Sequence, residues 1–288
     1  MNSKVDFLKF NLKTTLIGVV FCLATVHSLA VPKTENYSDL ISKAQNLILQ
    51  KDRLQAMNVL VAGIKKENSK SNAYLELKKN IEDLSQVFIS EKAQQLYELA
   101  ITLKKTDMTA STQKITEALR LEPDHLKLII ELSRNQITKG DCSSAQDSLS
   151  KIIQLSPYIE ELKLLQSQIY LCLNQMSELN QIRSTVDIKK SNYASQWILV
   201  DIEKFDKLGQ NKAAIDSLIL FKNLKLSHPE VNYWSWKLNK NTNDGYKYAN
   251  ECKKMSTGAY RQYLMDPQLC RRLSEVESEL KNVPNQSE

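Results

Sequence analysis

From Asn36 onward, apolar residues recur at steps of three and four along nearly the whole chain, the spacing that gathers them on one face of an α-helix. The strict alternation that marks a half-buried strand is nearly absent. The pattern predicts an all-α protein. Helices are expected at 41–50 and 54–64, with Ala56 where the two would cross. Two more, at 74–87 and 90–104, have partners that the pattern does not assign.

A better defined unit follows. Residues 126–139 read as one helix, Gly140-Asp141 as a turn, and 143–155 as a second helix stopped by Ser156-Pro157. Upstream, Ala118-Leu119-Arg120-Leu121-Glu122-Pro123 closes a segment in the way that Ile152-Ile153-Gln154-Leu155-Ser156-Pro157 closes this one, and the two prolines stand 34 residues apart. A fixed period of that length marks stacked helix pairs. Gly140 can take the left-handed conformation that ends a helix, Ala145 lets two helix backbones approach closely, and Pro157 cannot continue a helix.

On these residues the segment resembles tetratricopeptide repeats, with Leu132 on the large apolar site of the first helix, Gly140 at the turn, Ala145 at the crossing and Pro157 as the terminator. Looser units flank it. One starts at Glu160, with Asn174 in place of the turn glycine and Leu179 in place of the small crossing residue. Another centres on Leu208-Gly209-Gln210 and Ala213-Ala214 and closes near His228-Pro229. The resemblance implies an α-α superhelix of helix pairs with a concave groove that takes proteins and peptides.

Past Leu238 the pattern changes. Asn239-Lys240-Asn241-Thr242-Asn243-Asp244-Gly245 reads as a polar linker, followed by a short segment carrying Cys252 and Cys270 and a charged helix over 273–281. Repeat arrays need a terminal element over the last apolar face, and residues 239–288, stapled by Cys252 and Cys270, read as that cap. The repeat domain is then 31–238.

The N-terminus has its own layout. Lys4, Lys9 and Lys13 precede an uncharged stretch from Thr14 to Ala30, with small residues Ser28 and Ala30 at the positions that a signal peptidase reads, so residues 1–30 read as a leader and Val31 as the mature start. The run is shorter than the ~20 apolar residues of a spanning helix, and Phe21 is too large to precede a lipid-modified Cys22. With 42% hydrophobic and 25% charged residues the remainder has the balance of a folded protein. Its charge is mild: the whole chain carries +6, and losing three lysines and Asp6 leaves +4 without a dense basic stripe, which argues against nucleic acid as a partner.

Four cysteines remain after Cys22, an even number that suits a compartment where disulfides persist. Stacking would bring Cys142, at the start of one second helix, and Cys172, near the end of the next first helix, to one edge of the array. Cys142–Cys172 with Cys252–Cys270 is therefore the favoured pairing, and four independent buried thiols are the alternative. No CxxC pair, P-loop or GxGxxG is present. His125 and His228 lie beside Pro123 and Pro229 in turns expected to be solvated, with no nucleophile motif near either.

No catalytic residue, cofactor or metal is therefore expected. Glu131, Asn135, Gln136 and Gln168 are groove candidates by position. Tyr233-Trp234-Ser235-Trp236, with Tyr246, Tyr248, Tyr260 and Tyr263, gathers aromatics near the C-terminal end, to pack the cap or, through Trp234 and Trp236, to anchor a partner. The expected protein is a periplasmic or secreted, non-enzymatic scaffold for a peptide or protein of the cell envelope. The alternative is a structural module that self-associates or docks a larger envelope complex through its aromatic cap. Peptide mapping of the non-reduced protein should return Cys142 linked to Cys172 and Cys252 linked to Cys270; four free thiols would refute the pairing.

Overall fold

The computed structural model describes residues 36–104, 106–240, 242–254 and 269–281. The leader read at 1–30, its cleavage before Val31, and the aromatics Tyr260 and Tyr263 lie outside the described residues. Among the described residues all regular structure is helical. Six helix pairs succeed one another: α1 Tyr37–Leu49 with α2 Arg53–Ile64, α4 Glu91–Leu103 with α5 Met108–Leu121, α6 Leu126–Thr138 with α7 Cys142–Ser150, α8 Glu160–Cys172 with α9 Met176–Arg183, α10 Ala194–Lys207 with α11 Asn211–Asn223, and α12 Glu230–Asn239 with α13 Thr242–Lys254. A single helix, α3 Asn72–Leu84, stands between the first two pairs, and α14 Leu273–Lys281 follows the last. Beyond packing within each pair, α6 packs on α8, α8 on α10 and α10 on α12, so the first helices stack in series.

The period is visible in the backbone. The first helices α6, α8 and α10 begin 34 residues apart. Their partners α7, α9 and α11 begin 34 and 35 apart. Four of the pairs are joined by the same turn. A residue in left-handed conformation, Lys51, Gly140, Asn174 or Gly209, ends the first helix. The N–H of the following residue then reaches back five positions, Asp52 to the Leu47 carbonyl at 2.9 Å, Asp141 to Gln136 at 2.9 Å, Gln175 to Tyr170 at 2.8 Å and Gln210 to Phe205 at 2.8 Å. Asparagine tolerates that conformation better than most residues, which is why Asn174 can stand where Gly140 and Gly209 stand in neighbouring pairs.

Asp52, Asp107 and Asp141 then cap the second helix by accepting hydrogen bonds from its first turn. The fourth residue of every second helix faces the first helix and is buried: Ala56, Ser111, Ala145, Leu179, Ala214 and Gly245. Five of the six are small, as close crossing requires. At Gly245 a Cβ would stand 2.8 Å from Cδ1 of Trp236, so the indole fills the space that a side chain would need. Thr242–Gly245, expected as linker, thus form the first turn of α13, and helix pairing continues to Lys254.

The second helix of the best-matched unit is shorter than its pattern. It ends at Ser150 and is followed by a 3₁₀ turn at Ile153–Leu155. Ser150 donates its hydroxyl to the Asp147 carbonyl at 2.7 Å, a local bond that competes with helix continuation, and the β-branched pair Ile152-Ile153 adds nothing to hold the α form.

The first three helices are not simply the first link of the series. α3 packs on both α1 and α2, and α2 touches the 3₁₀ turn at Ile153–Leu155. One hydrophobic core joins Ala44, Leu60, Leu77 and Ile81 of this unit to Ile129, Leu149, Leu155 and Leu165 of the later pairs. The Leu126 N–H donates to the Ser85 carbonyl at 3.3 Å. At the same junction the buried Arg53 pairs with the buried Glu122 at 2.6 Å and donates to the Val87 carbonyl. Glu122 also accepts the N–H groups of Ile89 at 2.9 Å and Ser90 at 2.7 Å.

His125 lies in this junction, fully buried and stacked on Phe88 at 3.9 Å. His228 is buried as well, its Nδ1 accepting from the Glu230 N–H at 3.2 Å. The expectation that both are solvated is corrected. The turns that carry them are roofed by neighbouring elements, here Phe88 from the α3–α4 connection. Burial, aided by the Arg53 and Lys127 charges, lowers the His125 imidazole to about 3.

Two outcomes follow from this architecture. Gly140 has φ 80°, so Gly140→Val should cost about 1–2 kcal/mol in urea unfolding, the penalty of a β-branched residue in left-handed backbone; an unchanged midpoint would contradict the turn. His125 is neutral when folded, whereas the unfolded chain takes up a proton below the ordinary value of 6.5, so stability present above 6.5 is lost as pH falls toward about 3. Replacing it by the non-titrating, slightly larger ring of phenylalanine should flatten the pH dependence of unfolding between pH 6 and 5 by about 1 kcal/mol per pH unit, whatever it does to the absolute stability. A slope equal to the parent's would sink this account.

Candidate functional site

The first helices α6 and α8 are among the most enclosed elements, yet a charged stripe runs across them from α4. Lys104, capping the end of α4, pairs with Glu131 of α6 at 2.8 Å. Glu131 also takes Arg134, one turn further along α6, and Arg134 reaches on to Glu161 in the first turn of α8. The signs alternate across three successive pairs. Burial alone would raise the Glu131 carboxyl, but the Arg134 and Lys104 charges outweigh it and hold it below the usual carboxylate range. Two tyrosines border the stripe: burial, then the Glu131 charge, pushes Tyr97 up to about 12, and burial, then Glu161, pushes Tyr193 up to about 12. At Glu160 the stripe meets α10, because that carboxylate accepts the Trp197 Nε1–H at 3.0 Å and the Ser191 hydroxyl.

Of the groove candidates read from the sequence, Glu131 sits at the centre of this stripe but is buried. Asn135 is buried too, its Nδ2 directed at Thr112 Oγ1 at 3.3 Å and Ser111 Oγ at 3.5 Å on α5. Gln168 is buried within α8, and Gln136 is half-buried. Glu131 and Asn135 join helices to one another. What the same α6 face leaves accessible is Lys127 and Arg134, half-buried, and Thr138, exposed, at helical spacing with Glu131. Periodicity found the face but not how far the neighbouring helices reach over it. The charged i,i+3 pair Glu131 and Arg134 on α6 is the signal that could have found the stripe.

Trp234 and Trp236 are buried likewise, in a core with Ile198, Phe221 and Tyr248. The packing role is the one their surroundings fit, with Tyr233 edge-on to Trp234 at 5.1 Å. Over this core lies a second polar cluster. Arg272, just before α14, meets Glu203 of α10 at 3.0 Å and Glu230 of α12 at 3.5 Å, with its guanidinium 4.7 Å from the Tyr233 ring and 4.8 Å from the Trp234 ring. Glu230 also accepts the Tyr248 hydroxyl at 3.0 Å and the Cys270 N–H at 2.6 Å. Burial raises the Glu230 carboxyl in spite of these partners. At Glu203, burial is outweighed by Arg272 and Arg271, which hold the carboxyl low.

Both cysteine pairs form disulfides. Cys142–Cys172 ties the start of α7 to the end of α8, and Cys252–Cys270 ties α13 to the segment before α14. Among the described residues no His, Cys, Asp or Glu cluster is arranged to hold a metal, and no helix is long and apolar enough to cross a membrane.

No protein-family model matches the chain, and no curated protein matches it. A tetratricopeptide repeat protein from Parabacteroides merdae, known from a crystal structure, is similar at a TM-score of 0.46 and 14% identity, covering 84% of this chain and 99% of that one. The assignment rests on the chain's own geometry: helix pairs starting 34 and 35 residues apart, one recurring left-handed turn and a recurring crossing position make it a tetratricopeptide-like helical repeat protein.

Proposed function

We propose that this chain is a non-enzymatic scaffold of the cell envelope that binds a peptide or protein along the stripe of its first helices. The observation that carries the reading is the alternating ladder from Lys104 to Glu161. It links ion-paired charges of both signs from three successive pairs, with Glu131 buried and Lys104, Arg134 and Glu161 half-buried along its edge. Such a surface suits a polypeptide, whose backbone and side chains offer donors and acceptors along a line, better than it suits a compact small molecule. Placement in the envelope is supported by the leader pattern at residues 1–30 and by two disulfides, which persist in oxidising compartments.

The test uses a photo-crosslinking residue placed in the native host at Thr138, on the stripe, or at Lys212, on α11. A discrete adduct is expected from Thr138 alone, weakened by Lys127→Glu at an unchanged melting temperature, on a chain whose N-terminal peptide begins at Val31. Equal adducts from both positions would remove the stripe from the reading. A chain retaining Met1 would remove export, and a tight homodimer as the only adduct would favour self-association.

A further inference from the structure

The Arg272 cluster is built like a receptor for a guanidinium. Two carboxylates, 6% and 1% exposed, converge on Arg272 from α10 and α12, and Glu203 takes the neighbouring Arg271 as well. Two aromatic rings hold the Arg272 guanidinium from other directions at 4.7 and 4.8 Å. A planar, delocalised, weakly hydrated cation fits such a site; an ammonium, strongly hydrated and without a flat face, fits it poorly. The walls Glu203, Glu230, Tyr233 and Trp234 belong to the helix pairs, whereas the occupant arrives on a separate segment, 269–281, fastened to α13 through Cys252–Cys270. Socket and plug are thus distinct parts of the chain.

We propose that Glu203, Glu230, Tyr233 and Trp234 form an arginine-binding socket that Arg272 fills in cis, and that an arginine side chain of a partner polypeptide takes it when the 269–281 segment lifts away. The disulfide sets how often that occurs. It closes an 18-residue separation and keeps Arg272 at high effective concentration beside the socket. Without it the plug competes less well. The occupant is an arginine because both carboxylates and both rings already hold one. That its carrier is a polypeptide rests on the scaffold reading above, whereas the socket itself does not.

Full-length protein with Arg271→Ala/Arg272→Ala is titrated with arginine amide and, separately, with lysine amide, following melting temperature and tryptophan emission. Arginine amide is expected to stabilise this variant saturably, with lysine amide weaker by about tenfold or more. The parent should show no saturable response, and Cys252→Ser/Cys270→Ser should respond between the two. If the double alanine variant is unfolded alone, recovery of its helical circular dichroism by arginine amide but not by lysine amide supports the socket equally. No saturable effect, or equal effects of the two amides, overturns it. Failure of the Thr138 crosslink with success here would leave the socket standing and remove only the polypeptide carrier.

Discussion

Two helix backbones lie closest where the residue between them is small, and this chain meets that condition in five of its six pairs. Ala56, Ser111, Ala145, Ala214 and Gly245 all fall on the fourth residue of a second helix, directly after the turn that reverses the chain. The turn and the crossing act together. A left-handed residue sets the direction of return, an N-terminal cap starts the second helix, and the small residue one turn later fixes the separation. Leu179 is the exception, and its helix α9 is the shortest of the second helices, eight residues long.

A pair made this way has an apolar flank that it cannot cover itself, so the series must be closed at both ends. The two ends use different means. At the N-terminal side α1–α3 turn back onto later pairs, and their core merges with that of α6–α8. At the C-terminal side a short helix is brought over α10 and α12 by a disulfide and an arginine. Each closure carries a buried charge pair, Arg53 with Glu122 and Arg272 with Glu203 and Glu230. Buried pairs of this kind add little net stability against an apolar replacement, because desolvation consumes most of the attraction. Their effect is on choice of register: a shift of one element would strand a charge in the core, and that is far more costly than a shifted leucine.

The pair between Pro123 and Pro157 was legible because turn glycine, crossing alanine and terminal proline coincide with the period there. The Glu160 unit was legible only once Asn174 is understood as a second residue able to take left-handed backbone. Gly245 misled for a physical reason: next to Asn243-Asp244 it has the composition of a linker, yet its missing side chain makes room for Trp236 inside a helix pair. The Cys142–Cys172 disulfide followed from the stacking order, and Cys252–Cys270 from the need to fasten a terminal element. The burial of Glu131, Asn135 and Gln168 did not, because periodicity assigns a residue to a face of its own helix and carries no information about how far a helix more than twenty residues away extends over it. The same holds for His125, whose roof, Phe88, comes from the connection between α3 and α4.

The two disulfides differ in what they add to this design. Cys142–Cys172 links pairs that already pack side by side, so it restrains the unfolded chain more than it defines the fold; closing a loop of 30 residues contributes about 3–4 kcal/mol on the chain-entropy view. Cys252–Cys270 acts on a short element that is also held by the Arg271 and Arg272 ion pairs, the Lys253–Glu277 pair and the Tyr233 hydroxyl on Glu275. α14 is nine residues long, and a helix of that length is not stable by itself in water. Its apolar contribution centres on Val276 and Leu280, which pack into the last core. The covalent link therefore keeps those contacts close at hand, so that the segment re-forms them after each opening. That is why an arginine seated beside it, rather than one of the charged residues inside the array, is the contact a competitor can displace.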